Sequence, residues 1–258
     1  MPEFCKVERE ERLWIVTLAR PERMNALHPP ANNELAGVFD EFAADDDAWV
    51  AIVTGEGDRA FCAGNDLKYT AEGTGELMVG PMGFGGLTGR YDLAKPVIAA
   101  VNGVAMGGGF EIALACDLII ASENARFALP EPRVGLAALA GGMQRLPRQI
   151  GLKHAMGMLL TGRHVSASEG RELGFVNEVV PHAELMAAAR RWAADILACA
   201  PLSVRASKQV AMQSLDHASL EEACTARYDA VRTLMKSDDF REGPRAFAEK
   251  RDPVWKGR

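Results

Sequence analysis

Apolar positions along the chain fall into short continuous runs and longer helical stripes. Strand-like runs occur within 7–18, centred on Trp14-Ile15-Val16-Thr17-Leu18, and at 49–54, 60–63, 97–101, 118–121 and 126–128. Between the first two lies "RPERMNALHPP", broken by prolines, and then an amphipathic helix over 32–42 with Leu35, Val38, Phe39 and Phe42 on one face. Alternating strands and helices predict an α/β fold. From 183 onward the pattern is almost entirely helical, over 183–200, 203–215 and 220–235, with Pro201 and "LDHAS" as separators. This divides the chain into a core over 1–200 and a helical subdomain over 201–258.

One stretch breaks the alternation. "TAEGTGELMVGPMGFGGLTGR" over 70–90 holds seven glycines and reads as a loop or lid. A plain surface loop is the competing reading. Met78, Met82, Phe84 and Leu87 are too apolar for a fully solvated loop and tilt the balance toward a pocket cover.

Composition narrows the function classes. The 258 residues are 48% hydrophobic and 25% charged, ordinary for a soluble globular chain. The net charge of −6 without a basic block argues against nucleic acid as partner. No apolar run is long enough to span a bilayer, and the charged N-terminus lacks a secretory apolar region; the expectation is a cytoplasmic protein without membrane contact. The five cysteines (Cys5, Cys62, Cys116, Cys199, Cys224) are scattered, with no C-x-x-C and no H-E-x-x-H, so reduced thiols and no metal site are expected.

The candidate chemistry begins at "NGVAMGGGFEIALACD", 102–117, where a strand runs into Gly107–Gly109 and then into a helix carrying Glu111 in its first turn. Glycine is a poor helix former, but it lets a ligand approach the backbone closely. The first helical N–H groups lack intrahelical partners and point at any negative atom placed before them. A phosphate, a reaction oxyanion, or mere close packing of strand and helix each fit such a turn. The absence of G-x-G-x-x-G and of G-x-x-x-x-G-K-[ST] removes the dinucleotide and P-loop versions. A second glycine turn, Gly64-Asn65-Asp66 in "AFCAGNDL", supplies the second donor that an oxyanion hole needs. "FALPEPRVGL" then sets Glu131 between two prolines after a strand. Phe110 and Ile112 flank Glu111, and Leu129, Pro130 and Pro132 flank Glu131; apolar surroundings raise a carboxyl pKa and suit it to proton transfer. No G-x-S-x-G occurs, so covalent serine catalysis has little support.

At these residues the sequence resembles the enoyl-CoA hydratase/isomerase (crotonase) family. The resemblance runs through "RPERMNAL" (20–27), "AFCAGNDL" (60–67), "KPVIAAVNGVAMGGGFEIALACDLIIAS" (95–122), "FALPEPRVGL" (127–136), "GGMQRLPRQIG" (141–151) and "LTGRHVSASEGRELGFVNEVVP" (160–181). It implies a spiral of ββα units with a C-terminal helical subdomain that makes homotrimers, often paired into hexamers. It also implies an acyl-CoA thioester as ligand, with coenzyme A part of the substrate and no separate cofactor.

By motif position the resemblance sets the oxyanion hole at the N–H groups of Asn65 and Gly108, and the catalytic acids at Glu111 and Glu131. Retention of both glutamates favours reversible hydration of a 2-trans-enoyl-CoA, Glu111 activating water and Glu131 moving the α-carbon proton. Arg23, Met24, Ala26, Ala63, Asp66, Leu67 and Lys68 fall along the CoA, with Gly107, Pro130 and Leu136 against the substrate; Arg23 and Lys68 read equally as surface charges. Three departures bear on the acyl pocket: Ala138 where many hydratases carry proline, His28-Pro29-Pro30 after "NAL", and the 73–89 loop. The alternatives are a 3,2-enoyl-CoA isomerase, a dehydratase of a specialised (carnitinyl-type) hydroxyacyl-CoA, and a non-catalytic acyl-CoA-binding member.

Overall fold

A computed structural model describes residues 2–72 and 80–258. The first strand-like run is two strands, β1 (Cys5–Glu10) and β2 (Leu13–Leu18), paired antiparallel from Cys5↔Leu18 to Glu10↔Leu13. The turn between them holds Glu11 at φ 47°, a left-handed position that the continuous strand composition conceals. Helix α1 (Pro29–Ala44) begins three residues before the expected start. Its prolines sit at the first turn, where no N–H is needed, and His28 caps it by accepting from Ala31 N–H.

A unit of two strands and a helix then repeats. It comprises β3 (Val50–Gly55), β4 (Ala60–Cys62) and α2 (Leu67–Glu72), then β5 (Val97–Val101), β6 (Val104–Met106) and α3 (Gly108–Ala115), then β7 (Leu118–Ser122), β8 (Arg126–Ala128) and α4 (Gly142–Ile150). After α5 (Leu152–Thr161) come β9 (Val165–Ser166), α6 (Ala167–Leu173), β10 (Glu178–Val180) and α7 (Leu185–Leu197). The first strand of each unit joins a six-stranded sheet, β1-β2-β3-β5-β7-β10; the second joins a four-stranded sheet, β4-β6-β8-β9. This is the spiral of ββα units. Asn102, in the link from β5 to β6, fastens one turn of the spiral to the one before. Its amide donates to the carbonyls of Gly55, Gly57 and Ala60, and its oxygen accepts from Gly55 N–H.

The six-stranded sheet is covered on both faces. One face meets α7, whose Leu185, Ala188, Ala189 and Ala193 pack on Ile15, Ile52, Ile98 and Ile120. The other meets the main core, which includes Phe39 and Phe42 of α1 and the cluster Phe110, Phe127 and Phe175, with ring centroids 5.1–5.2 Å apart. The chain closes with α8 (Pro201–Ser214), α9 (Leu220–Thr225), α10 (Asp229–Lys236) and α11 (Asp239–Glu249). The helix expected over 220–235 is thus two, broken at Ala226–Tyr228, and Tyr228 Oη donates across the break to Ala223 O. Lys208 of α8 ties this region to the core by donating to Lys95 O and Asp117. Among the described residues no helix is long and apolar enough to cross a membrane, and no group of three or more His, Cys, Asp or Glu is placed to hold a metal ion.

Candidate active site

The two glycine turns meet at the ends of β4 and β6. A Cβ on Gly64 (φ 92°) would lie 2.7 Å from Met106 O and 3.2 Å from Gly108 N, so the turns touch backbone to backbone. Each glycine of the triplet answers a different neighbour. Gly107 takes φ 53°, ψ −125°, which no other residue adopts cheaply, and its N–H donates to Ala128 O at the end of β8. A Cβ on Gly108 would fall 2.5 Å from the Phe84 ring, and one on Gly109 would collide with the Cys62 carbonyl. α3 thus begins against β4 at a distance that only glycine permits.

This close approach leaves two backbone donors free. Asn65 pairs with Leu27 in a parallel bridge through the flanking groups, Leu27 N–H to Gly64 O and Asp66 N–H to Leu27 O. Among the described residues neither the Asn65 N–H nor the Gly108 N–H has an acceptor. The Asn65 side chain is held aside by a 2.9 Å bond to Thr70 Oγ1.

Both glutamates border these turns. Glu111 is 3% exposed and its Oε1 accepts from Gly142 N–H at 2.8 Å. Burial, aided by the negative charge of Glu131, pushes its pKa up to about 7, against the pull of its backbone hydrogen bonds and of Arg145. Glu131 opens a 3-10 turn, Glu131–Val134, and its Oε1 lies 3.0 Å from where a Gly107 Cβ would stand. Its Oε2 is buried without a hydrogen-bond partner among the described residues, and burial raises its pKa too. Two carboxyls that titrate above the ordinary range, beside two free N–H donors, can move protons to and from atoms next to a polarised carbonyl.

The residues expected along CoA occupy one rim. Met24 stands in the left-handed region at φ 54°, and its carbonyl accepts from Ala63 N–H. Ala26 is buried, Ala63 half-buried, and Arg23, Leu67 and Lys68 are exposed. Asp66 is buried and its carboxylate is occupied: Oδ2 pairs with Arg20 at 3.1 Å and Oδ1 accepts from Tyr69 N–H. It therefore shapes the rim through Arg20 and α2. Pro130 is half-buried and Leu136 is 38% exposed, on the side of Glu131.

The glycine-rich stretch divides. Residues 73–79, with Met78, lie outside the described residues. Phe84, Leu87 and Thr88 are buried, and Gly85 is packed against Ile112 of α3. Arg90 fastens this segment to α1, its guanidinium donating to Gly86 O, Ala36 O and Asp40. The 84–90 segment is thus a fixed wall of the site. Of the departures, Ala138 is buried, 3.0 Å from a Cβ placed on Gly142. His28 is stacked edge-on between Phe4 and Tyr69.

Sequence reasoning missed the groups that act on Glu111. Gly142 N–H and Arg145 both come from the first turn of α4, and the Gly141-Gly142 pair at that helix start is the same signal that marked Gly107–Gly109. Asn25, buried at φ 54°, was missed as well: it accepts from Arg20 N–H and donates to Glu56 O and Ala60 O, fixing the 20–27 turn on β4.

Comparison with known proteins gives the family of the chain. The family described as enoyl-CoA hydratase/isomerase matches residues 8–258. A carnitinyl-CoA dehydratase from Citrobacter koseri is 44% identical and one from Salmonella typhimurium 43%, each over the whole of both chains. The crystal structure of an enoyl-CoA hydratase from Mycobacterium tuberculosis superposes with a TM-score of 0.92 at 38% identity, covering 99% of each chain. One from Mycobacterium marinum gives 0.92 at 39% identity, again over 99% of each. The chain belongs to the enoyl-CoA hydratase/isomerase, or crotonase, family.

Proposed function

We propose that the protein adds water reversibly to a 2-trans-enoyl-CoA thioester, with coenzyme A as part of the substrate and no separate cofactor. One juxtaposition carries the reading: buried Glu111 and half-buried Glu131, both with raised pKa values, border two backbone N–H groups that have no acceptor among the described residues. The thioester oxygen accepts from Asn65 N–H and Gly108 N–H, which draws electrons from the conjugated double bond. Ionised Glu111 takes a proton from water as the water oxygen bonds to the β-carbon, and the electron pair moves to the thioester oxygen. Protonated Glu131 then delivers its proton to the α-carbon as the enolate collapses. Exchange with solvent restores both acids, and the reverse sequence removes water from a 3-hydroxyacyl-CoA.

Along the rim, Met24, Ala26, Ala63 and Leu67 line the pantetheine, Asp66 acts through Arg20, and Arg23 and Lys68 offer cations to the phosphates. Gly107, Pro130 and Leu136 border the acyl group. The helices of 201–258 form the self-association face of a homotrimer or of a hexamer built from two trimers.

A second reading has its own support. Curated relatives at 43–44% identity are named carnitinyl-CoA dehydratase, which makes the dehydration direction on a trimethylammonium-bearing acyl group the competing activity. Steady-state kinetics on crotonyl-CoA and on carnitinyl-CoA separate them. The first reading expects kcat/KM to be at least tenfold higher for crotonyl-CoA hydration; the reverse order assigns the specialised dehydratase. Turnover of neither, with acyl-CoA still bound, sinks both.

A further inference from the structure

Glu111 is held by α4, and so is a cation that no part of the proposed reaction uses. Arg145 lies one helical turn after Gly142, the residue whose N–H bonds Glu111. Its Nη2 donates to Thr88 O at 2.8 Å and its Nη1 to Ala140 O at 3.3 Å. Its guanidinium also sits over the Tyr91 ring, 5.4 Å from the centroid. Thr88 in turn accepts from Phe84 N–H through its hydroxyl at 2.7 Å, and the Phe84 ring rests against Gly108. A single side chain therefore joins the support of Glu111 to the wall behind the Gly108 donor.

We propose that Arg145 is the positioning residue of this site: it locks the 84–91 wall to the start of α4 and presents a fixed positive charge to Glu111. The inference rests on the reading of Glu111 as the group that activates water.

The charges around Glu111 make the assignment specific. α3 packs against α4, β4, β6, β7 and the Phe84–Gly86 turn. β6, β7 and that turn carry no titratable side chain. β4 offers Cys62, a thiol whose burial pushes its pKa up to about 12 and keeps it neutral. α4 offers Arg145 and Arg148, and Arg148 is exposed, its guanidinium on Gln144 O. From the Glu131–Val134 turn, Arg133 is exposed and donates to Thr161 O, leaving Glu131 as the charge acting on Glu111 from that side. Arg145 thus joins the backbone donors around Glu111 in opposing burial and Glu131, and as the one cation among these groups it favours ionised Glu111 where water must be deprotonated. Lysine does not replace it fully, because a point ammonium cannot span two carbonyls as a planar fork does.

The test uses Arg145→Gln and Arg145→Lys in the full-length enzyme. Two quantities are read: the Glu111 titration midpoint, by infrared difference spectra from which Glu111→Gln is subtracted, and the pH profile of kcat/KM on crotonyl-CoA. Arg145→Gln is expected to raise the midpoint by roughly half a pH unit or more, with the acid limb of kcat/KM following, about a threefold loss below that limb. Arg145→Lys is expected to keep the wild-type midpoint while losing part of kcat through the loosened wall. Should the Gln variant not fold, Arg145→Met, which keeps the apolar stem, replaces it. A midpoint unmoved by loss of the charge, or moved equally by Lys, overturns the proposal. An enzyme that hydrates nothing contradicts the proposed reaction alone, because the infrared midpoint still decides the role of Arg145.

Discussion

At the scale of single residues, the site is built from groups held where they are costly. Burial pushes the Glu111 pKa up to about 7 in the folded chain, whereas its ordinary carboxyl value is 4.5. The folded state therefore binds the proton more tightly than the unfolded state, and stability falls as pH rises from about 4.5 through about 7. Glu111→Gln removes the charge and keeps an acceptor for Gly142 N–H. It should be more stable than wild type at pH 8, by about 2–3 kcal/mol, and equal to it near pH 4, where both states are neutral. Thermal unfolding at the two pH values checks this; an equal gap at both would show that burial of the charge is not the cause. Asn25 poses the opposite case. Asn25→Ala removes three side-chain hydrogen bonds, one of them fully buried, at a left-handed backbone position and should cost about 2–4 kcal/mol in denaturant unfolding.

Among elements, the glycine triplet shows what the sequence carries and what it hides. Strand, glycines, helix and acid are legible in "MGGGFE", because glycine at a helix start marks a close backbone approach. The particular neighbours are not legible: that Gly109 meets the Cys62 carbonyl follows from the parallel pairing of β4 with β6, and that Gly108 meets the Phe84 ring from the packing of the Phe84–Gly86 turn on α3. Gly109→Ala should prevent α3 from seating and reduce soluble folded protein severely, whereas Gly37→Ala, with nothing within 4 Å of its new Cβ, should fold as wild type. Circular dichroism and solubility of the pair test this. The hairpin at Glu11 stayed hidden because its turn has no glycine or proline, and the break between α9 and α10 because apolar residues continue through it. The supports of the acids stayed hidden for another reason: Gly142 and Arg145 act on Glu111 across a long gap in sequence, and only the fold shows which acid that helix start faces.

For the whole molecule, the two ends of the chain differ in how they bury apolar surface. Residues up to α7 supply nearly all of the two cores, while the last helices leave Met212, Leu215, Leu220, Met235 and Phe247 exposed. An open groove of about 810 Å³ lies between α8, α9 and α10, lined by Val210, Leu220, Ala223, Tyr228 and Val231 among others. Exposed apolar side chains of this density are what the proposed trimer would cover. Light scattering of the purified protein should give a mass near three or six chains of 27.8 kDa, and Leu220→Asp with Phe247→Asp should lower it. A monomer at micromolar concentration would contradict the assembly while leaving the site chemistry open to its own test.

That test is the comparison of wild type with Glu131→Gln, measuring crotonyl-CoA hydration and acyl-CoA binding side by side. Glu131 has a buried oxygen without a hydrogen-bond partner among the described residues and faces the turn that presents the Gly108 N–H. The variant is expected to lose at least a hundredfold in kcat, in keeping with loss of a general acid, while its Kd for acyl-CoA stays within about threefold. Wild-type hydration in the variant would exclude Glu131 as the general acid, since the proton at the α-carbon would then come from elsewhere.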